Sequence, residues 1–254
     1  MPGPPYATNS ELYADPNLTE GIDWARRFRR HERFDDSPAR TAEGTRTVVL
    51  APHGGGIEPG TSELCLAVAG HHPANLPQVP PTGVTYDYWM FEGVREGGNA
   101  DLHVTSTGCD DLLAVLLCAG ALGALSLHGF KPENVGLPAG KQVVLVGGAD
   151  DLLRPLLLDA LDDVHLPVED AGPHGEVNGD KPCNIVNRTL RGKGAQLELS
   201  EPLRDTMFGD NTRPGRKHTT TEVFWTFVAA CRDALDRFEA KPEIAGPDVQ
   251  CRDR

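Results

Sequence analysis

The 254-residue chain is 39% apolar and 24% charged, enough apolar material for one packed α/β domain and too much for a disordered chain. Its formal charge of −13 argues against a phosphate-tracking nucleic-acid binder, which needs a basic face. It leaves room for an anionic ligand held by a local cluster of cations.

No stretch reaches the roughly 18 apolar residues of a membrane span. The N-terminal "MPGPPYATNSELYADPNLTEG" lacks a basic segment followed by an apolar one. The expectation is a cytoplasmic protein as synthesised, released by lysis if at all. The six cysteines show no CxxC spacing and read as free thiols. A monomer is the favoured oligomeric state.

Residues 1–20, rich in Pro, Asn and acids, read as a surface arm. "RRFRRHERFDD" reads as a solvated strand or loop face. "RTVVLAPH" is a buried strand stopped by Pro52, and "GTSELCLAVAGH" a helix with Thr61 and Ser62 as caps. "TYDYWMFEG" and "DLHVTST" read as strands, "DDLLAVLLCAGAL" as a helix, and "GALSLHGF" as a strand ending on His128. "KQVVLVGGAD" is a buried strand, followed by a helix bent or restarted at Pro155. "GAQLELS" alternates as a strand, and "TTEVFWTFVAACRDALDRFEA" has helical spacing. Strands alternating with helices imply an α/β fold, a single domain with a mixed, mostly parallel sheet and helices on both faces. The boundaries read as arm 1–20, domain 21–240 and tail 241–254.

Functional residues of such sheets gather beyond the carboxyl ends of strands. His53 and His128 each end a strand, and each is followed by a glycine that lets the backbone turn away. Glu58 follows His53 across "GGGI", a run too glycine-rich for a helix. Two readings stand for this segment. It is a polar turn, with Glu58 favouring the positive start of the next helix. Or it holds two ligands of a His₂Glu zinc site with an open fourth position, where bound water would be acidified for attack on a carbonyl.

In "GAQLELS", Gln196, Glu198 and Ser200 share one face. Glu198 lies at an exposed edge or faces a polar cleft, where it can act as general base. "NIVNRTLRGKG" supplies Asn187, Arg188 and Arg191, either a surface loop or a fork for a substrate carboxylate. Asp110, Asp111 and Asp150 read as helix caps. His71, His72 and His103 read as structural.

The ordered set "APHGGGIEPGTSEL", "YWMFEG", "LHVTST", "SLHGF", "VGGAD", "CNIVNR" and "AQLELS" resembles the phage-type poly-γ-glutamate hydrolases, over about residues 20–205. The resemblance implies a zinc carboxypeptidase-like fold and one zinc ion held by His53, Glu58 and His128. It also implies Glu198 as base, with Asn187 and Arg188 on a substrate carboxylate. One departure stands out: the family usually carries His-Phe after its "TST" run, and here Gly108 and Cys109 follow. Cys109 is then a packed thiol or a further approach to the metal.

The expected activity is hydrolysis of γ-glutamyl amide bonds, most naturally in poly-γ-glutamate, at a locally positive cleft. Its rivals are an amidase or carboxypeptidase acting on a small glutamyl amide, a non-catalytic homologue, and a zinc-storage protein.

Overall fold

The computed structural model describes residues 5–31, 46–80 and 83–245. The end of the basic run "RRFRRHERFDD", most of the C-terminal tail and Cys251 lie outside these residues. The other five cysteines are free, as expected. Among the described residues no helix is long and apolar enough to cross a membrane.

In chain order the elements are α1 (Asn9–Tyr13), β1 (Trp24–Arg29), β2 (Thr47–Gly55), α2 (Thr61–Val68), β3 (Asp87–Gly93), α3 (Leu112–Ala119) and β4 (Gly123–Phe130). There follow β5 (Val144–Gly148), α4 (Leu153–Asp163), β6 (Val168–Asp170), β7 (Ala195–Ser200) and α5 (Glu201–Thr206). Helices α6 (Arg213–Arg216), α7 (Glu222–Glu239) and α8 (Pro242–Ala245) complete the chain.

One seven-stranded sheet runs β1-β3-β2-β4-β7-β5-β6. The pairings from β3 through β7 are parallel, as is β5 with β6, while β1 on β3 and β5 on β7 are antiparallel. Alternation along the strands divides the core. Val49, Ala51, Leu125 and Leu127 face one layer with α2, α4 and α7. Val48, Leu50, Trp89 and Phe91 face the other, with α1 and α3. The expected mixed, mostly parallel sheet with helices on both faces is thus the observed one.

Several local expectations are corrected. Strand β2 continues past Pro52 and His53, because the glycines after them keep pairing with β3. The "DLHVTST" segment is no strand: it opens with a 3-10 turn, Asn99–Leu102, and then runs as loop. Pro155 falls in the first turn of α4, where its missing N–H has no partner to lose, so it neither bends nor restarts the helix. Gly60, at φ 100°, is the residue before α2, while Thr61 and Ser62 bond back to the preceding loop.

The N-terminal segment is not a surface arm. Thr8 caps α1, Leu12 is fully buried in the second core layer, and Tyr13 stacks on Trp24 at 4.4 Å. Asp111, the N-cap of α3, also accepts the Tyr13 hydroxyl, so the first helix is tied to the third. Leu12→Ala should therefore cost about 2–5 kcal/mol. Urea denaturation checks this, and a midpoint equal to that of the wild type would return the segment to the surface.

Candidate metal centre

Strand β2 delivers His53, and the glycines behind it make the turn to Glu58. Gly55 has φ 66°, and a Cβ there would lie 2.3 Å from the Gly93 carbonyl oxygen, so no other residue fits without strain. Ser62 Oγ accepts the Gly55 N–H at 2.8 Å, which fastens the loop to α2. Strand β4 delivers His128, and the parallel register sets His128 beside Glu198 of β7. Paired residues of a parallel ladder share a face, so both side chains enter one cleft.

The cleft has a volume of about 330 Å³, with His53, Glu58, His103, His128, Lys181 and Glu198 in its wall. His53 Nε2 lies 2.7 Å from the Val104 carbonyl. A carbonyl only accepts, so this nitrogen carries the proton and Nδ1 carries a lone pair. That lone pair faces Glu58 Oε1 at 2.8 Å and His128 Nδ1 at 3.1 Å. His128 Nδ1 is 3.6 Å from Glu58 Oε2.

Lone pairs so close repel unless a cation or a proton lies among them. Donor atoms about 3.3 Å apart are what four-coordinate zinc with bonds of about 2.0–2.2 Å requires. The donor set therefore fits a small divalent cation. Outer partners fix each donor: His128 Nε2 meets Ser126 Oγ at 2.7 Å, and Glu58 Oε2 accepts the Gly129 N–H at 2.8 Å.

His103 also belongs here, against the expectation that it is structural. Its ring lies 3.9 Å from that of His53, and its Nε2 is 3.7 Å from Glu58 Oε1. Single ligating atoms of His53, Glu58 and His103 fall within 4.8 Å of one another. The set with His128 is tighter, while His103 stands nearer the cleft mouth, its side chain 35% exposed. The sequence signal for His103 was its place before "VTST", concealed by reading that segment as a strand.

Electrostatics separates the two glutamates. When protons rather than a cation lie among these groups, burial pushes the Glu58 carboxyl up, but the charge of a protonated His53 and hydrogen bonds from His103, His128 and His53 outweigh it and hold Glu58 well below the usual range. Burial, then the Glu58 charge, pushes Glu198 well above the usual range, against a hydrogen bond from Gln196 Nε2 at 2.8 Å. Glu198 is thus in the polar cleft, on a central strand.

The residues of the expected carboxylate fork have protein partners in this structure. Arg188 donates to the carbonyls of Cys183 and Cys109. Arg191 pairs with buried Asp150 at 2.7 Å. Asn187 donates to the carbonyls of Gly179 and Lys181 and accepts from Gly194. All three brace the loops behind the cleft, and none lines its wall. The cleft's lysine is Lys181, exposed and without an ion pair among the described residues.

Cys109 does not approach the metal centre. It lies in the second core layer, and burial pushes its thiol up to about 12. Gly108 has a steric reason: a Cβ there would meet the Ala7 carbonyl oxygen at 2.0 Å. The N-terminal segment occupies the space that a side chain at 108 would need.

A single mixed sheet with the site at its strand ends is a zinc carboxypeptidase-like fold. The chain belongs to the poly-γ-glutamate hydrolase family, whose sequence model matches residues 29–230. Its fold matches a solved bacteriophage poly-γ-glutamate hydrolase with a TM-score of 0.75 and 28% identity, over 93% of this chain and 98% of that one. A zinc-free structure of YndL matches with a TM-score of 0.70 and 28% identity, over 93% and 97% of the two chains. The SPbeta prophage-derived protein YoqZ of Bacillus subtilis (strain 168) is 33% identical over 72% of this chain. YmaC of the same organism is 30% identical over 77%. The chain spans 60% of the length of YoqZ and 74% of that of YmaC.

The raised Glu198 has a stability signature. In the unfolded chain it titrates near about 4.3, and in the fold it holds its proton to higher pH. Ionising it in the fold therefore costs stability as pH rises from the unfolded pKa through the folded one. For metal-free protein, Glu198→Gln should match the wild type near pH 4 and melt higher than it at pH 7. Calorimetry across that range checks the sign, and a pH-independent difference would contradict it.

Proposed function

We propose that the protein hydrolyses γ-glutamyl amide bonds of poly-γ-glutamate, with one zinc ion held by His53, Glu58 and His128 and with Glu198 as general base. The observation that carries the reading is the convergence of His53 Nδ1, His128 Nδ1 and the Glu58 carboxylate within 3.6 Å, beside Glu198, in a chain of this family. Zinc as the ion is supported by the donor set and by the zinc-free description of the related YndL structure. When bound, zinc supplies Lewis acidity for the scissile carbonyl and makes water a stronger acid.

The chain's own residues do the rest. Glu198 takes a proton from the attacking water and returns it to the leaving amine. Its raised proton affinity, caused by burial and then by the Glu58 charge, favours taking up the water proton. Gln196 holds one Glu198 oxygen and so orients the other. Poly-γ-glutamate keeps an α-carboxylate on every residue, and exposed Lys181 offers a cation for one of them in the cleft wall. Lys181 stands beside the loop of Asn187, Arg188 and Arg191, from which that role was first expected.

The position of His103 favours one second reading, in which it takes the third ligand place of His128. Metal content separates the two. His128→Ala should lose the ion and His103→Ala should retain it. The reverse result would exchange their roles.

The central test is elemental analysis followed by incubation with poly-γ-glutamate. Wild type should carry one zinc per chain and shorten the polymer, and the His53→Ala, His128→Ala double variant should do neither. Glu198→Gln should keep its zinc and lose about 10²–10⁴-fold in kcat with little change in KM. Lys181→Ala should raise KM for the polymer. Zinc-loaded wild type that leaves the polymer intact but cleaves small glutamyl amides would move the substrate to that class.

A further inference from the structure

A second depression lies on the other side of the catalytic loop. Gly55 and Gly56, between His53 and Glu58, line two adjoining cavities of about 390 and 750 Å³. The two cavities share Arg213 and Pro214 at the start of α6. Together they form one groove, outside the cleft that contains His53 and Glu198.

The groove is cationic on a chain whose overall charge is −13. Arg27, Arg95, Arg213, Arg216 and Lys217 line it, against three glutamates. Arg27 is 3.5 Å from Glu92, and Arg95 bonds Asp23 at 2.8 Å. Buried Arg216 pairs with Glu63 and donates to the Gly55 carbonyl at 3.0 Å, which ties the groove floor to the catalytic loop. Nearby Asp210 is engaged by the Thr212 backbone N–H.

The side chains of Arg213 and Lys217 have no hydrogen bond or ion pair among the described residues. They stand four apart on α6 and its C-cap, so they present their charges on one side. Of the three lining glutamates only Glu96 is likewise unpaired among the described residues, so two free cations stand against one free anion, and no ion pair gives either cation a part in folding.

The groove and the cleft are also continuous along the chain. Asn99 and Ala100 line the groove, and His103 lines the cleft. The 3-10 turn between Ala100 and His103 advances about 2 Å per residue, so these two lining residues lie on the order of 6 Å apart along the backbone.

We propose that this groove binds the polyanionic chain of the substrate away from the scissile bond, with Arg213 and Lys217 on successive α-carboxylates. The inference rests on the polymer reading of the function. It explains how an acidic enzyme captures an acidic polymer: the local field at the groove opposes the long-range repulsion, and only a chain long enough to leave the cleft benefits from it.

The test compares long poly-γ-glutamate with a short γ-glutamyl oligomer at low ionic strength. The groove variant is Arg213→Glu, Lys217→Glu, and Lys141→Glu, Lys241→Glu is a control of equal net charge. The groove variant should lose about tenfold or more in kcat/KM on the polymer and keep its value on the oligomer. The control should keep the polymer-to-oligomer ratio of the wild type. A groove variant that also keeps that ratio, or a control that loses it equally, overturns the proposal. If the wild type cleaves neither substrate, the proposed function fails. Binding of fluorescent poly-γ-glutamate then reads the groove directly: tenfold weaker binding by the groove variant alone supports it, and equal binding by all three proteins overturns it.

Discussion

Two imidazole lone pairs and a carboxylate held within hydrogen-bond distance of one another repel, and the protein devotes its stiffest parts to keeping them there. His53 is locked by the Val104 carbonyl, His128 by Ser126, and Glu58 by the Gly129 amide. The locks come from two segments, the loop after the 3-10 turn and β4 itself, and they reach the donors because β2 and β4 are neighbours in the sheet. The arrangement is costly for an empty protein and favourable for one that binds a cation. Metal affinity and fold are thus coupled through the same contacts.

Glu198 extends that constraint. It shares the cleft with an ionised Glu58, and like charges so placed cannot both ionise freely. One carboxylate is stabilised by three histidines, and the other has its proton affinity raised. A ligand and a proton carrier are thereby distinguished by environment alone, from the same side-chain chemistry.

The strands that carry the site were legible because their signals are local. A buried apolar run ending in His-Gly marks a strand leaving the core, and the alternation in "AQLELS" sets Glu198 on the same face as Gln196. The loops were not legible in this way. A basic loop has no local feature that tells an arginine bound for a carbonyl from one bound for a substrate, and here Arg188 donates to carbonyls and Arg191 pairs with Asp150. Lys181 carries no pattern, and its place in the cleft comes from a loop that packs against β7. His103 was obscured by a strand reading of a 3-10 turn. Leu12 was missed because a helix as short as α1 shows too little periodicity, and its burial is decided by Trp24 and Asp111, distant in sequence.

The place of β7 has a further consequence for biosynthesis. It is the last strand among the described residues, yet it lies between β4 and β5, made much earlier. Until residues 195–200 leave the ribosome, the two earlier strands have no partner on those sides, and each offers an open edge to other chains. The strand that closes these edges also brings Glu198. A chain interrupted before it would be sticky and without its proton carrier, so the step that makes the sheet safe is also the step that makes the site complete.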